Sequence, residues 1–181
     1  MRLIEPNDRY SEQIADFRQE FLDAESSMDG QGPLRRMPDP AQWLQFCREN
    51  RTEETCDPRL VPATQFLYVR ESDNRIVGMI QVRHRFNAFL ERYAGHIGYS
   101  VRPSERRKGY AKSMLQAVLP YCASLGLSRI LVSCLKGNIA SAKTILANGG
   151  VYESTVFCPE HDAYLERYWI ELPPAESENK T

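Results

Sequence analysis

The spacing of apolar residues changes character along the chain, and those changes divide it into elements. RLIEP (2–6) is a short strand candidate. In YSEQIADFRQEFLDAESS (10–27), Ile14, Phe17 and Phe21 recur at helical spacing, which predicts a helix with one buried face. SSMDGQGP (26–33) breaks it. Asp39-Pro40 reads as an N-cap followed by proline at the first helical position, opening a second helix with Trp43, Leu44 and Cys47 inward. The middle is strand-like. QFLYVRE, a turn at SDNR and IVGMIQVRHR form a hairpin pattern, with Ile76, Gly78, Ile80, Val82 and His84 sharing one face by period two. FNAFLERYA (86–94) is an aromatic connector. GHIGYSV follows as a strand that turns Ile97, Tyr99 and Val101 one way and His96, Gly98 and Ser100 the other.

Helix and strand then alternate. KSMLQAVLPYCASLG is helical with Met114, Leu115, Val118, Leu119 and Cys122 as its buried stripe, kinked at Pro120 and ended by Gly126. RILVSC is an apolar run suited to a strand covered on both faces. NIASAKTILANGG is a short helix closed by glycines. VYESTVF and AYLERYWIEL are two late strands. The order βαα-βββ-αβαββ predicts one α/β (α+β) domain over residues 1–172, built on a mixed, mostly antiparallel sheet, with a polar tail over 173–181.

Composition narrows the class. The chain has 181 residues, enough to bury a core without disulfides or metal, and its 42% hydrophobic and 26% charged content is ordinary for a globular protein. The net charge of −1 lacks the basic excess of a nucleic-acid binder, so nucleic acid is set aside as a partner. Five cysteines at irregular spacing, with no signal-peptide pattern at the start and no run able to span a bilayer, lead to the expectation of a cytoplasmic protein away from membranes. Cys158 and His161 have metal-like spacing, but two ligands do not make a zinc site, and no metal is expected.

One segment stands out against that neutral background. VRPSERRKGYAK (101–112) carries five cations in twelve residues, between a strand and a helix. The first N–H groups of a helix have no intrahelical partners, and with the positive end of the macrodipole they make an anion site. Gly109 lets backbone approach an anion, and Ala111 keeps the next turn thin. Three cations at a helix N-terminus are unfavourable without an anion, which favours a diphosphate over a solvated face. The Walker spacing GxxxxGK[ST] and the pattern GxGxxG are both absent.

Arg106-Arg107-Lys108-Gly109-Tyr110-Ala111 resembles the (Q/R)xxGx(G/A) signature of the GNAT superfamily of acetyl-CoA-dependent N-acetyltransferases. GHIGYSVRP is similar to that family's fourth strand with its V-x-P exit. The resemblance extends over about residues 2–172 and implies a sheet of about seven strands flanked by about four helices. It further implies that acetyl-CoA is the donor, with its pyrophosphate on the backbone of Arg106, Arg107, Lys108, Gly109, Tyr110 and Ala111. The pantetheine arm would lie along Tyr99, Ser100 and Val101, where a backbone N–H polarises the thioester carbonyl. Asn138 matches the family's asparagine at the helix after the fifth strand and is equally an N-cap; Ser141 and Lys143 fall on the next turn beside the cofactor. The family's general-acid tyrosine, seven residues after that asparagine, is replaced by Ile145. Tyr152, Tyr164 or Tyr168 could substitute, or water could protonate a thiolate of ordinary pKa about 8.5.

An attacking amine must lose a proton. His96 is the first candidate base and His84 the second, with Glu71 and Glu91 behind them. Cys134 is read as a buried, inert thiol. The acceptor pocket is expected between the first two helices and the loops near 86–93 and 159–163, where aromatics and carboxylates suit an amine. The reading is transfer of an acetyl group to a small-molecule amine in a ternary complex. A protein or peptide N-acetyltransferase and a non-catalytic CoA-binding regulatory module are the alternatives, and a homodimer is left open.

Overall fold

A computed structural model describes residues 1–173, so the tail expected over 173–181 lies, apart from Pro173, outside the described residues. The expected element order is present. It runs β1 (Arg2–Ile4), α1 (Ser11–Asp23), α2 (Pro40–Glu49), β2 (Ala63–Arg70), β3 (Arg75–Arg83), β4 (Ile97–Val101), α3 (Tyr110–Ser124), β5 (Arg129–Leu135), α4 (Ile139–Leu146), β6 (Val151–Cys158) and β7 (Ala163–Glu171). The seven strands form one sheet in the order β1-β2-β3-β4-β5-β7-β6. β4 and β5 are parallel, and every other neighbouring pair is antiparallel. The fold is a single α/β domain.

Two cores sandwich the sheet. On one face Ile14, Phe17, Phe21, Trp43 and Leu44, from α1 and α2, pack on Leu67, Val69, Ile76 and Met79. On the other, Met114, Leu115, Val118 and Cys122 of α3 and Ile145 of α4 pack on Ile80, Val82, Ile97, Ile130 and Val132. Burying each large apolar side chain is worth roughly 1.5–3 kcal/mol, so these helical stripes decide which way every strand faces. α2 begins as expected: the Asp39 carboxylate accepts the Ala41 N–H at 2.9 Å, with Pro40 behind it.

The β3 reading needs a correction. Period two placed Ile76 with Ile80 and Val82, yet Ile76 lies in the α1/α2 core and the other two in the α3/α4 core. The pairing with β2 jumps from Tyr68↔Gly78 to Val69↔Ile76, so Val77 is an extra residue and the alternation inverts there. The β4 alternation needs no such change: Ile97, Tyr99 and Val101 face α3 and α4.

Candidate active site

β4 and β5 are paired only at their start. Their ladder holds the single register pair Ile97↔Val132, next to a bridge from Gly95 and a hydrogen bond from the His96 N–H to the Leu131 carbonyl at 2.8 Å. Beyond Ile97 the strands separate. The Arg102 N–H reaches the Val77 carbonyl at 2.9 Å, so even-numbered residues of β4 bond to β3, and Tyr99 and Val101 turn their backbone towards the gap. A wedge is thus open through the centre of an otherwise continuous sheet, its β4 edge occupied at the Val101 carbonyl, which accepts from Arg106 Nε at 3.3 Å.

The wedge leads to the N-terminus of α3. Arg107 (φ 64°) and Gly109 (φ 82°) are both left-handed, which curls the backbone into a concave turn. Among the described residues, no hydrogen-bond acceptor takes the N–H groups of residues 107–112, and no side chain caps the helix. A Cβ built on Gly109 would have nothing within 4 Å, so its mouth is clear.

The cations are arranged otherwise than a simple cluster would be. Lys108 pairs at 2.8 Å with Glu105, which is buried and also held by Arg70. Arg106 folds back over the end of β4, donating to the Val101 carbonyl at 3.3 Å and the Ser26 hydroxyl at 2.7 Å and lying 5.5 Å over the Phe21 ring. Arg107, exposed, has no such partner among the described residues. Glu105 therefore supplies part of the counter-charge for which the sequence reading invoked a ligand. Its carboxyl is held below its ordinary pKa, with the Arg70 hydrogen bond the largest cause.

On the α3/α4 side of the gap, Asn138 caps α4 by accepting the Ser141 N–H at 3.1 Å. The Ser141 hydroxyl meets the Tyr99 hydroxyl at 2.8 Å, so β4 and α4 are tied across the wedge. Burial pushes the Tyr99 phenol up to about 12. Cys134, beside it, is buried and pushed up to about 11 by burial, which fits an inert thiol. Ile145 is fully buried in the α3/α4 core, while Lys143 is exposed.

The opposite face is lined by the even residues of β4. Gly30, on the loop between α1 and α2, is pressed onto Gly98 so closely that a Cβ on Gly30 would sit 2.0 Å from the Gly98 carbonyl oxygen. The neighbouring Gln31 is buried, donates to the Ser100 hydroxyl, and has its carbonyl fixed by the Trp43 indole N–H at 2.8 Å. Gln65 donates to the Gly30 carbonyl at 2.9 Å. The Phe86–Ala94 connector covers the far side of this face, with Phe86 stacked 4.0 Å from the His96 ring and the Arg92 carbonyl taking Arg167.

His96 lies on this face, but its geometry argues against the expected role of general base. Its Nδ1 accepts the Leu131 N–H at 3.0 Å, so in the neutral ring the proton resides on Nε2 and no lone pair is free. Burial and the nearby Arg83 charge depress its pKa to about 4. The ring serves instead to hold β4 against β5 where the wedge begins. His84 is held as well, its Nε2 2.8 Å from the Thr64 hydroxyl, which in turn meets the Tyr121 hydroxyl near the far end of α3. Glu71 is paired with the chain's N-terminal amine, and Glu91 is exposed. Tyr164 is exposed beside Phe157 and Lys136, next to the end of β5. Tyr168 donates to Glu166, and Tyr152 meets Thr155.

Sequence reasoning overlooked Arg83, Gln65, Gln31 and Ser133. The first two had a detectable signal: polar residues at period two inside apolar strands imply a polar site or a buried network. Gln31 had none, because only the folded loop carries it to β4. Among the described residues no group of three or more His, Cys, Asp or Glu side chains could hold a metal ion, and no helix is long and apolar enough to cross a membrane.

The same architecture occurs in solved structures. The ribosomal L7/L12 α-N-protein acetyltransferase RimL in complex with coenzyme A matches with TM-score 0.70 at 16% identity, covering 96% of this chain and 94% of that one. The ribosomal-protein-S5-alanine acetyltransferase of Vibrio fischeri matches with TM-score 0.69 at 18% identity, covering 97% and 94%. A point mutant of the spermidine N-acetyltransferase SpeG of Vibrio cholerae matches with TM-score 0.64 at 12% identity, covering 94% and 95%. No curated protein matches the sequence significantly. At such identities these likenesses establish the fold. A sequence model described as "Acetyltransferase (GNAT) family" matches residues 30–149, from the loop that meets β4 to the end of α4, and on that match the chain belongs to the GNAT acetyltransferase family, whose members are acyltransferases.

Proposed function

We propose that the protein is an acetyl-CoA-dependent N-acetyltransferase that acylates the amine of a small molecule by direct attack in a ternary complex. The observation that carries this reading is the continuity of the β4–β5 wedge with the unpaired N–H groups at residues 107–112. One end accepts an extended arm along a strand edge, and the other accepts a diphosphate. Residues 106–111, with Arg107 at the mouth, would hold that diphosphate. Tyr99 and Val101 offer strand-edge backbone to the arm, and an N–H there would stabilise charge on a thioester oxygen. The donor supplies a thioester, whose acyl carbon an amine can attack without metal or covalent enzyme intermediate.

Tyr99 and Ser141 stand where a departing thiolate would emerge. Burial pushes the Tyr99 phenol up to about 12, so near neutral pH it is protonated and can donate a hydrogen bond to that thiolate. The pair therefore acts as a hydrogen-bond donor to the thiolate, and water completes the protonation. With His96 committed to the backbone, the amine also loses its proton to water. The acceptors named for the neighbours, spermidine and ribosomal proteins, span small molecules and protein amines and do not choose between them.

A non-catalytic CoA-binding module is the second reading, favoured by the apolar Ile145 in place of a tyrosine. Thermal melting with acetyl-CoA, against salt of matched ionic strength, is expected to raise Tm; no rise would overturn both readings. Thiol release across a panel of amines is then expected with at least one acceptor, and stabilisation without any turnover would leave the binding module.

A further inference from the structure

The acceptor face contains a cation whose partner the protein does not supply. Arg83 extends from the end of β3 and is half-buried beside Gly98, its Nη2 only 3.3 Å from where a Cβ of Gly98 would stand. Its Nη1 donates to the carbonyls of Gly95 at 3.1 Å and Ala94 at 3.4 Å. Among the described residues, Nε and Nη2 have no acceptor and no carboxylate lies within 4 Å; Asp29, on the loop above, attracts it only from farther away. The contrast with Arg102 is instructive. That arginine, only 5% exposed and so more deeply buried than Arg83, is bound to Glu20 at 3.0 Å and to the carbonyls of Ile76 and Gln13.

A half-buried guanidinium whose Nε and Nη2 meet no protein acceptor can take an anion through those two groups without breaking an existing ion pair. Its surroundings specify the kind of partner. His96 is adjacent, paired across the strands through the Arg83 N–H and His96 carbonyl at 2.8 Å, and its Nε2–H is a second fixed donor on the same face. Two fixed donors, one a planar fork, match the two oxygens of a carboxylate. Around them are buried acceptors with nothing to receive: the side-chain oxygens of Gln31, Gln65 and Ser133 are unpartnered, and Gln31 and Gln65 are only 1% and 3% exposed. The donors for an anion lie on the face of the sheet opposite the α3/α4 layer, the face that also carries these buried oxygens.

We propose that Arg83 and the His96 Nε2–H form an anion subsite, and that the acceptor is a small zwitterionic molecule of amino-acid type, carrying a carboxylate together with the amine that is acetylated. This rests on the transferase reading and names its substrate class. The Arg83 guanidinium binds the carboxylate and sets the orientation of the amine, whose lone pair faces the wedge. A polyamine lacks the anion this subsite requires and would meet the Arg83 charge unpaired.

The test is thiol release from acetyl-CoA with the common L-amino acids and with their primary amides, by wild type, Arg83→Gln and Arg83→Lys. Wild type is expected to prefer at least one acid over its amide by ~100-fold in kcat/KM, the size of a charge-assisted hydrogen-bonded pair. Arg83→Gln should abolish that preference, mainly through KM, and Arg83→Lys should restore part of it. Because the acid-to-amide ratio is taken within one variant, it is unaffected by any loss of folded protein. A panel in which no acid outperforms its amide, through equal turnover or through none, would overturn the subsite, as would an Arg83→Gln enzyme that kept the preference. Turnover of amides or polyamines in that case would leave the transferase reading standing; absence of thiol release with any amine, despite a Tm rise with acetyl-CoA, would overturn both.

Discussion

The two sides of the β4–β5 wedge are made of different materials. On the proposed donor side the available groups are backbone: the strand edge at Tyr99 and Val101, and the N–H groups of residues 107–112 shaped by left-handed Arg107 and Gly109. On the acceptor side they are side chains from distant segments, with Gln31, Gln65, Arg83, His96 and Ser133 converging on one face of β4 and β5. Backbone sites tolerate many side chains and specify a shape, whereas side-chain sites specify a particular ligand.

The sharpest way to break this division is at Gly30. Its φ of +77° and the 2.0 Å separation between a built Cβ and the Gly98 carbonyl leave no room for a side chain. Gly30→Val should displace the loop from β4 and lower acceptor-dependent kcat/KM by ~100-fold or more, while acetyl-CoA affinity, measured by titration calorimetry, changes less than about threefold. Equal damage to both would show that the two sides are not separable.

His96 joins the sides, and its protonation should show in stability. Its folded pKa of about 4 lies below the ordinary 6.5, so the unfolded chain binds the extra proton between those values. Stability is therefore full above pH 6.5 and falls as pH drops towards 4, by up to about 3 kcal/mol. His96→Gln should flatten that part of the profile in urea melts at about pH 6.5 and about pH 4.5. An unchanged slope would remove His96 from the account of the wedge.

Smaller effects distinguish parts of the donor side. Arg107→Glu, at the one cation of the 106–108 run without a partner among the described residues, should weaken CoA binding by ~10-fold at low salt and less at high salt. Lys108→Glu should act chiefly by losing its Glu105 pair, and so lower Tm more than CoA affinity. Smallest of all, Tyr99→Phe should reduce kcat by about three- to tenfold with KM for acetyl-CoA little changed, consistent with one hydrogen bond to a leaving thiolate. A drop of several orders of magnitude would instead make the phenol an obligate proton donor.

Much of the fold could be read from local pattern. The helical stripe at Ile14, Phe17 and Phe21, the Asp39 cap and the β4 alternation all rest on residues within a turn or two of one another. The β3 face was misread because an inserted Val77 inverts the alternation, and a bulge depends on the partner strand. The same limit explains His96. Period two put it on the correct face, but only the parallel neighbour β5 reveals that Leu131 occupies its Nδ1. The basic run, likewise, could not show that Glu105 answers Lys108 while Phe21 and Ser26 draw Arg106 away.

By itself the sequence determined the order of elements, the family resemblance and the glycine-bearing turn before α3, because each depends on contiguous residues and on backbone geometry that a glycine and a strand-to-helix junction already dictate. Tertiary structure alone decided which charges stay unpaired. Whether Arg83 has a carboxylate, whether His96 has a lone pair and whether Gln31 meets β4 are questions of contact between segments far apart in the chain, as with the 69 positions that separate Gln31 from Ser100. Electrostatic pairing acts over a few ångströms in space, regardless of distance along the chain.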